Sequence, residues 1–581
     1  MRRVAYYSLL ACVVLAGCEK PQLVTYPGDP AASPGTVANN VRPTANAGGD
    51  VTLQWPADTV ELTGSATDDG QPSPALKYSW VASPASVQFT DATANKTTAK
   101  FVEPGTYILT LAVDDGALQA SDSLVVTVNP AAAPTNTPPV VSAGSDVATE
   151  VPRPASLAGT VTDDGVPTTT PTATWSVVSG PGTVTFRNAN VAATSATFDT
   201  VGTYELRLTG SDGELSTTDS VVVTVGPAIY PGLDDDSQVD RAWLRVAPAD
   251  AGMDAALLTQ AQTYALQAGG AGLISRYGRL VHSWGLIDNR YDIKSSTKSI
   301  GAIALAFAID DGRVQLSDRA ATHLPTMGLN PPSNDPTQAQ SITLLQLATH
   351  TAGLEKTGGY GRIVDPPGTA WRYSDGGLNW LADTLTTVYG QDLQEVFKPR
   401  LYSVLGINER DDIIWRKMED GLRPAPRTLN VQHREFAAGM VANVNAMARV
   451  GLLYLRRGAW DGGQRVFAES FVDLVRMPRA ENAALPVREE ADYPQANLRY
   501  GVLWWTNATG ALPNVPRDAY WAWGLNDSLI VVIPSLDLVI ARAGPTQAAS
   551  PGQRVFGDND WNADYAVLGP FLDPIVRAAT P

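Results

Sequence analysis

The sequence predicts two all-β, immunoglobulin-like sandwiches followed by an α/β domain. Three observations carry this. Residues 43–129 and 138–226 repeat one another: Ala47-Gly48-Gly49-Asp50 recurs as Ala143-Gly144-Ser145-Asp146, Trp80 as Trp175, and Gly105-Thr106-Tyr107 as Gly202-Thr203-Tyr204. Each copy alternates apolar and polar residues between Gly, Asp and Pro turns, the period of half-buried strands at sandwich spacing. After Pro227 the texture changes. Helical patterns then appear at Ala255–Leu266, Ile300–Ile309 and Asn443–Leu455, with strand runs on either side of them.

Composition bounds the rest. With 581 residues, about three to four domains are expected. Hydrophobic residues at 44% and charged residues at 17% exclude a wholly disordered chain and a polytopic membrane protein. The net charge of −17 argues against nucleic acid as a partner, because phosphate binding needs a basic face. Both Cys lie within the first 18 residues, so the remainder has no disulfide, Cys-ligated zinc or Cys nucleophile. The four His (His282, His323, His350, His433) show no metal-ligand spacing. No metal or organic cofactor is expected. The acids at the repeat turns, such as Asp114-Asp115-Gly116, read as turn formers rather than a Ca²⁺ site.

The N-terminus reads as an address. Met1-Arg2-Arg3 precedes an apolar run, Val4 to Ala16, of signal-peptide length. Its end, Leu15-Ala16-Gly17-Cys18, resembles the lipobox of bacterial lipoproteins. The resemblance implies a signal over 1–17, acylation of Cys18, a lipid anchor and, with Glu19 next in the chain, an outer-membrane place in the cell envelope. Residues 18–42 read as a Pro/Gly/Ala-rich tether. The two repeats resemble the PKD domains of bacterial surface and secreted proteins. In each, a core Trp and a Tyr corner are expected. Residues 227–240 read as a linker, which makes the repeats spacers.

Ser295-Ser296-Thr297-Lys298 is the single S-x-x-K of the chain. The pattern alone is weak, but it opens an apolar helix. Positions i and i+3 share a face, so Ser Oγ and Lys Nζ can meet one turn apart at a helix N-terminus. A serine hydroxyl is a poor nucleophile without a base, and a desolvated Lys can serve as one.

Together with His350-Thr-Ala-Gly-Leu354 and Pro366-Pro-Gly-Thr-Ala-Trp-Arg-Tyr-Ser-Asp375, this pattern resembles the serine β-lactamase and penicillin-binding-protein-like superfamily. The class C-like branch of esterases, peptidases and amide hydrolases is the nearest in texture. The resemblance spans about 241–578. It implies an antiparallel sheet flanked by helices plus a helical subdomain. It also implies Ser295 as the acylated nucleophile, Lys298 as its base and Tyr373 as a partner in proton transfer. The oxyanion hole would use the N–H of Ser295 and one after Gly524, at Leu525. His350 is expected to be structural.

Two positions depart from the family pattern. Asp375 stands where an Asn is usual; either it points away from Lys298 or Tyr373 takes more of the base role. Ala522-Trp523-Gly524 lacks the cation that meets a substrate carboxylate, which predicts a preference for uncharged acyl groups. Eleven of 14 Trp fall after residue 241, and Trp504, Trp505, Trp521 and Trp523 suggest an aromatic-lined cleft with part of the set in the core.

The expectation is a hydrolase of a small ester or amide, cell-wall-derived substrates included, working through an acyl-serine. The alternatives are a β-lactamase or D-amino-acid peptidase of the same fold, and an inactive envelope binding protein.

Overall fold

The computed structural model describes residues 39–167, 170–232, 243–357, 359–418, 431–545, 555–558 and 563–580. The predicted signal and Cys18 lie outside these residues. The chain divides into two compact units, Met1–Thr135 and Asn136–Pro581.

The first unit is a sandwich. Val51–Gln54, Gln119–Asn129, Gly105–Asp114 and Lys77–Ser83 form one sheet in that spatial order, and Thr59–Thr63, Lys96–Lys100 and Gln88–Phe89 form the other. Along Gly105–Asp114 every second side chain is buried, so Tyr107, Leu109, Leu111 and Val113 meet Trp80 and Phe101 between the sheets. Trp80 donates its indole N–H to Ala94 O at 3.2 Å, and the Tyr107 hydroxyl donates to Glu103 O at 2.8 Å, the tyrosine corner. The turn acids bond their own loops: Asp115 Oδ1 accepts from the N–H of Ala117 and of Leu118, each at 2.7 Å. Among the described residues no group of three or more His, Cys, Asp or Glu is placed to hold a metal ion.

The second unit opens with the other sandwich. Trp175 donates to Ala192 O at 2.9 Å and Tyr204 to Thr200 O at 2.7 Å, the same two devices. The α/β domain follows. Its antiparallel sheet has six strands, ordered Arg279–Trp284, Ala271–Arg276, Leu538–Ala543, Ser528–Ile533, Tyr520–Gly524 and Trp505–Thr506. Helices Ala255–Leu266 and Gly569–Ala579 pack together on one face, while Ser296–Asp310 and Val444–Leu455 cover the other. Both faces are therefore dry. The strands Ser528–Ile533 and Leu538–Ala543 are buried at every residue, which is why they read as apolar runs instead of alternating. A helical region, including Asp375–Tyr389 and Leu344–Ala348, lies between the two parts of the sheet in sequence.

The apolar run Tyr500–Trp505 has a strand's composition but is largely not a strand. Leu503 takes a left-handed φ of 64°, Gly501 N donates to Trp504 O at 2.8 Å, and the strand begins only at Trp505.

The second sandwich is docked on the α/β domain. Glu150 and Arg279 pair with side chains only 13% and 10% exposed, and Arg153 Nη2 donates to Asp250 O at 2.7 Å. The segment after the sandwich, read as linker, also packs down. The Tyr230 ring lies 5.1 Å from that of Trp460, and Gly278 approaches Ile229 so closely that a Cβ there would overlap its carbonyl.

Candidate active site

Ser295 sits at the N-cap of helix Ser296–Asp310. The first turn is fastened on three sides. Ser296 Oγ donates to Ser528 O at 2.7 Å, Thr297 Oγ1 accepts from Met440 N at 2.9 Å, and Ser299 Oγ donates to Leu503 O at 2.6 Å. The small polar residues around the S-x-x-K thus tie the nucleophile to sheet and loops.

Lys298 is 2% exposed. Its Nζ donates to Ser295 Oγ at 2.9 Å and to Ala437 O at 2.6 Å, and it pairs with Asp375 Oδ1 at 2.8 Å. Asp375 does not point away. Burial pushes the Lys298 pKa below its ordinary value; Asp375, and then Glu435, oppose that shift without reversing it.

The Tyr373 phenol lies close enough to Ser295 to feel it, and burial first, then Asp375, pushes it well above its ordinary range while Ser295 opposes the shift. Its ring is stacked between His350, at 4.4 Å, and Tyr493, at 5.0 Å and 6° from parallel. Lys298 Nζ stands 4.8 Å from the same ring centroid.

His350 accepts from Ser374 N on Nδ1 at 3.1 Å, and burial drives its pKa well down. It is a neutral wedge behind Tyr373 with no bond to Ser295, as expected. Ser374 caps helix Asp375–Tyr389 through Gly377 N at 3.0 Å, which sets Asp375 in the first turn, where the helix dipole favours a carboxylate.

Gly524 ends its strand against the serine turn. A Cβ there would lie 3.1 Å from Ser295 N, 3.0 Å from Ser296 N and on top of Ile293 O, so the close approach requires glycine. Leu525 then opens a tight turn, in which Asn526 and Asp527 take left-handed φ of 64° and 50°. Trp523 Nε1 and Gly557 N each donate to the Asp527 carboxylate at 2.6 Å, and Arg542 donates to Asn526 O and to Asp527 O.

Two expectations need correction. Ala522 does not look into an open cleft: it is fully buried, on the sheet face that packs against the serine helix. The four Trp are packing residues. Trp504 and Trp521 are fully buried against Tyr454 and Tyr565, and Trp505 and Trp523 are 5% and 6% exposed. Sequence reasoning missed Ala437 O and Glu435, which reach Lys298 from a distant loop, and Lys356 and Tyr493, which flank Tyr373. No local pattern marks them.

A Beta-lactamase family model matches residues 251–544. The chain belongs to the Beta-lactamase family. A PKD-domain family model matches residues 47–128 and 143–225.

Curated relatives match at the repeats' scale. The human Dyslexia-associated protein KIAA0319 is 32% identical over 193 residues, 32% of this chain and 17% of its own. Chitinase A of Pseudoalteromonas piscicida is 33% identical over 201 residues, 34% of this chain and 23% of its own. The chain therefore spans less than a quarter of these relatives. Similar solved structures include EstCE1, a hydrolase with promiscuous acyltransferase activity (15% identity, 56% of this chain, 98% of that one, TM-score 0.40), and simvastatin synthase LovD of Aspergillus terreus (16%, 56%, 100%, 0.42). A penicillin-binding-protein homologue from Caulobacter crescentus is another (15%, 55%, 97%, 0.40).

Proposed function

We propose that this beta-lactamase-family domain cleaves a carboxylic ester or amide through an acyl-Ser295 intermediate, and that the chain is held at the bacterial envelope by a lipid on Cys18. The observation that carries the catalytic reading is the buried contact of Lys298 Nζ with Ser295 Oγ at 2.9 Å, beside the Tyr373 phenol.

Neutral Lys298 accepts the Ser295 proton as Oγ bonds to the substrate carbonyl carbon. The carbonyl electrons move onto oxygen, where the N–H groups of Ser295 and Leu525 stabilise them. Collapse expels the leaving group. Tyr373, a phenol throughout, donates its proton to that group and is refilled from Lys298. Water then attacks the acyl carbon and gives its proton to the same Lys–Tyr relay, which returns it to Ser295 Oγ as the acyl C–Oγ bond breaks.

The Asp375 ion pair favours a second reading, an inactive binding protein, because it holds charge on Lys298. Fluorophosphonate labelling decides. Ser295 should be labelled and esters hydrolysed. Ser295→Ala should lose labelling and at least about a thousandfold in kcat with thermal unfolding unchanged. An unlabelled Ser295 in the unmodified protein sinks the hydrolase reading.

A further inference from the structure

The position that lacks a cation is on the strand, at Ala522, and Ala522 is buried. A cation nevertheless stands beside the reactive cluster, from another element. Lys356 follows helix Leu344–Ala348 and the His350–Leu354 segment. Its Nζ lies 5.8 Å from the Tyr373 ring centroid and 5.4 Å from that of Tyr493. Lys298 approaches the same Tyr373 ring at 4.8 Å, so two lysine side chains lie against the phenol beside Ser295. Unlike Lys298, Lys356 is exposed to solvent.

We infer that Lys356 is a specificity-determining residue, which selects ester or amide substrates carrying a carboxylate by meeting that carboxylate beside Tyr373.

The neighbouring acids leave room for this role. Asp375 pairs with Lys298 at 2.8 Å, and Glu489 with Arg372 at 2.8 Å. Asp492 is a third acid that faces Lys356, and an ammonium has three donors to share between it and a ligand. Burial of part of the side chain, and then Lys298, lower the pKa of Lys356, while Asp375, Asp492 and Glu489 raise it. The expectation of an uncharged acyl group assumed that the cation must come from the strand, and a lysine across the site removes that assumption.

The inference rests on the acyl-serine reading. Its test compares para-nitrophenyl monoesters of dicarboxylic acids, from glutarate to suberate, with neutral para-nitrophenyl esters of matched length. For the best length, Lys356→Gln should lower the charged-to-neutral ratio of kcat/KM about ten- to hundredfold, mainly through KM, and Lys356→Arg should restore most of it. A ratio unmoved by Lys356→Gln, or an equal loss on both substrates, overturns the inference while Ser295 turnover of the neutral ester stands. No hydrolysis and no Ser295 labelling in the unmodified protein overturns the acyl-serine reading and this inference with it.

Discussion

Lys298 is asked to do two opposed things. Its first neighbours, Asp375 and Ala437 O, favour the ammonium, while its burial favours the amine. Burial prevails, so the Lys298 pKa falls below its ordinary value without a separate activating residue. The sign of the Asp375 effect is testable. Asp375 raises the Lys298 pKa, and protonated Lys298 cannot take the serine proton. Removing the carboxylate charge in Asp375→Asn should therefore move the acid limb of the kcat/KM–pH profile to lower pH. A limb that moves to higher pH, or stays, would mean that another group sets it. The S-x-x-K was legible because i and i+3 share a helical face. Tyr373 was legible only through the resemblance to a family motif. Ala437 O, Glu435 and Lys356 were not, because each reaches the site by tertiary approach across more than 50 residues of chain.

At the scale of elements, the turn after Gly524 sets the direction of the Leu525 N–H, the proposed second oxyanion donor. Two consecutive non-glycine residues in the left-handed region cost about 1–3 kcal/mol each, so the surroundings must impose the conformation. Trp523, Gly557 and Arg542 do so through the Asp527 carboxylate and the turn carbonyls. Asp527→Ala should relax the turn. We expect kcat to fall about ten- to a hundredfold with KM nearly constant, alongside a loss of about 1–3 kcal/mol in stability. Trp523→Phe, which removes one donor, should give a smaller fall in kcat. Loss of stability with kcat intact would make the turn purely structural. Strands in the repeats were legible because one face is wet and the pattern alternates. Those of the six-stranded sheet gave only apolar runs, and at Tyr500–Trp504 such a run turned out to bend at Leu503. The same blindness to facing misread Ala522, whose side chain belongs to the core beneath the serine helix.

At the scale of the molecule, the second sandwich is more than a spacer. In the second unit the sandwich is anchored by the Glu150–Arg279 pair, by Arg153 on the Asp250 carbonyl and by Tyr230 against Trp460. A spacer would leave Arg279 in solvent, whereas here it is one-tenth exposed, and removing its partner strands a charge. The composition of 227–240 suggested a linker because Asp is abundant there; it could not reveal that Tyr230 finds a ring to pack on. A chain beginning at Trp243 should thus still hydrolyse ester, since Ser295, Lys298 and Tyr373 all lie beyond the cut. It should also unfold at a lower temperature than one beginning at Asn136. Glu150→Ala in the full chain should cost about 1–3 kcal/mol. Combined with Arg279→Ala, it should cost less than the sum of the two single changes, because the second removes the charge that the first leaves unpaired. Equal melting of the two shortened chains, together with additive effects in the cycle, would show that the sandwich only rests on the hydrolase and lends it no stability.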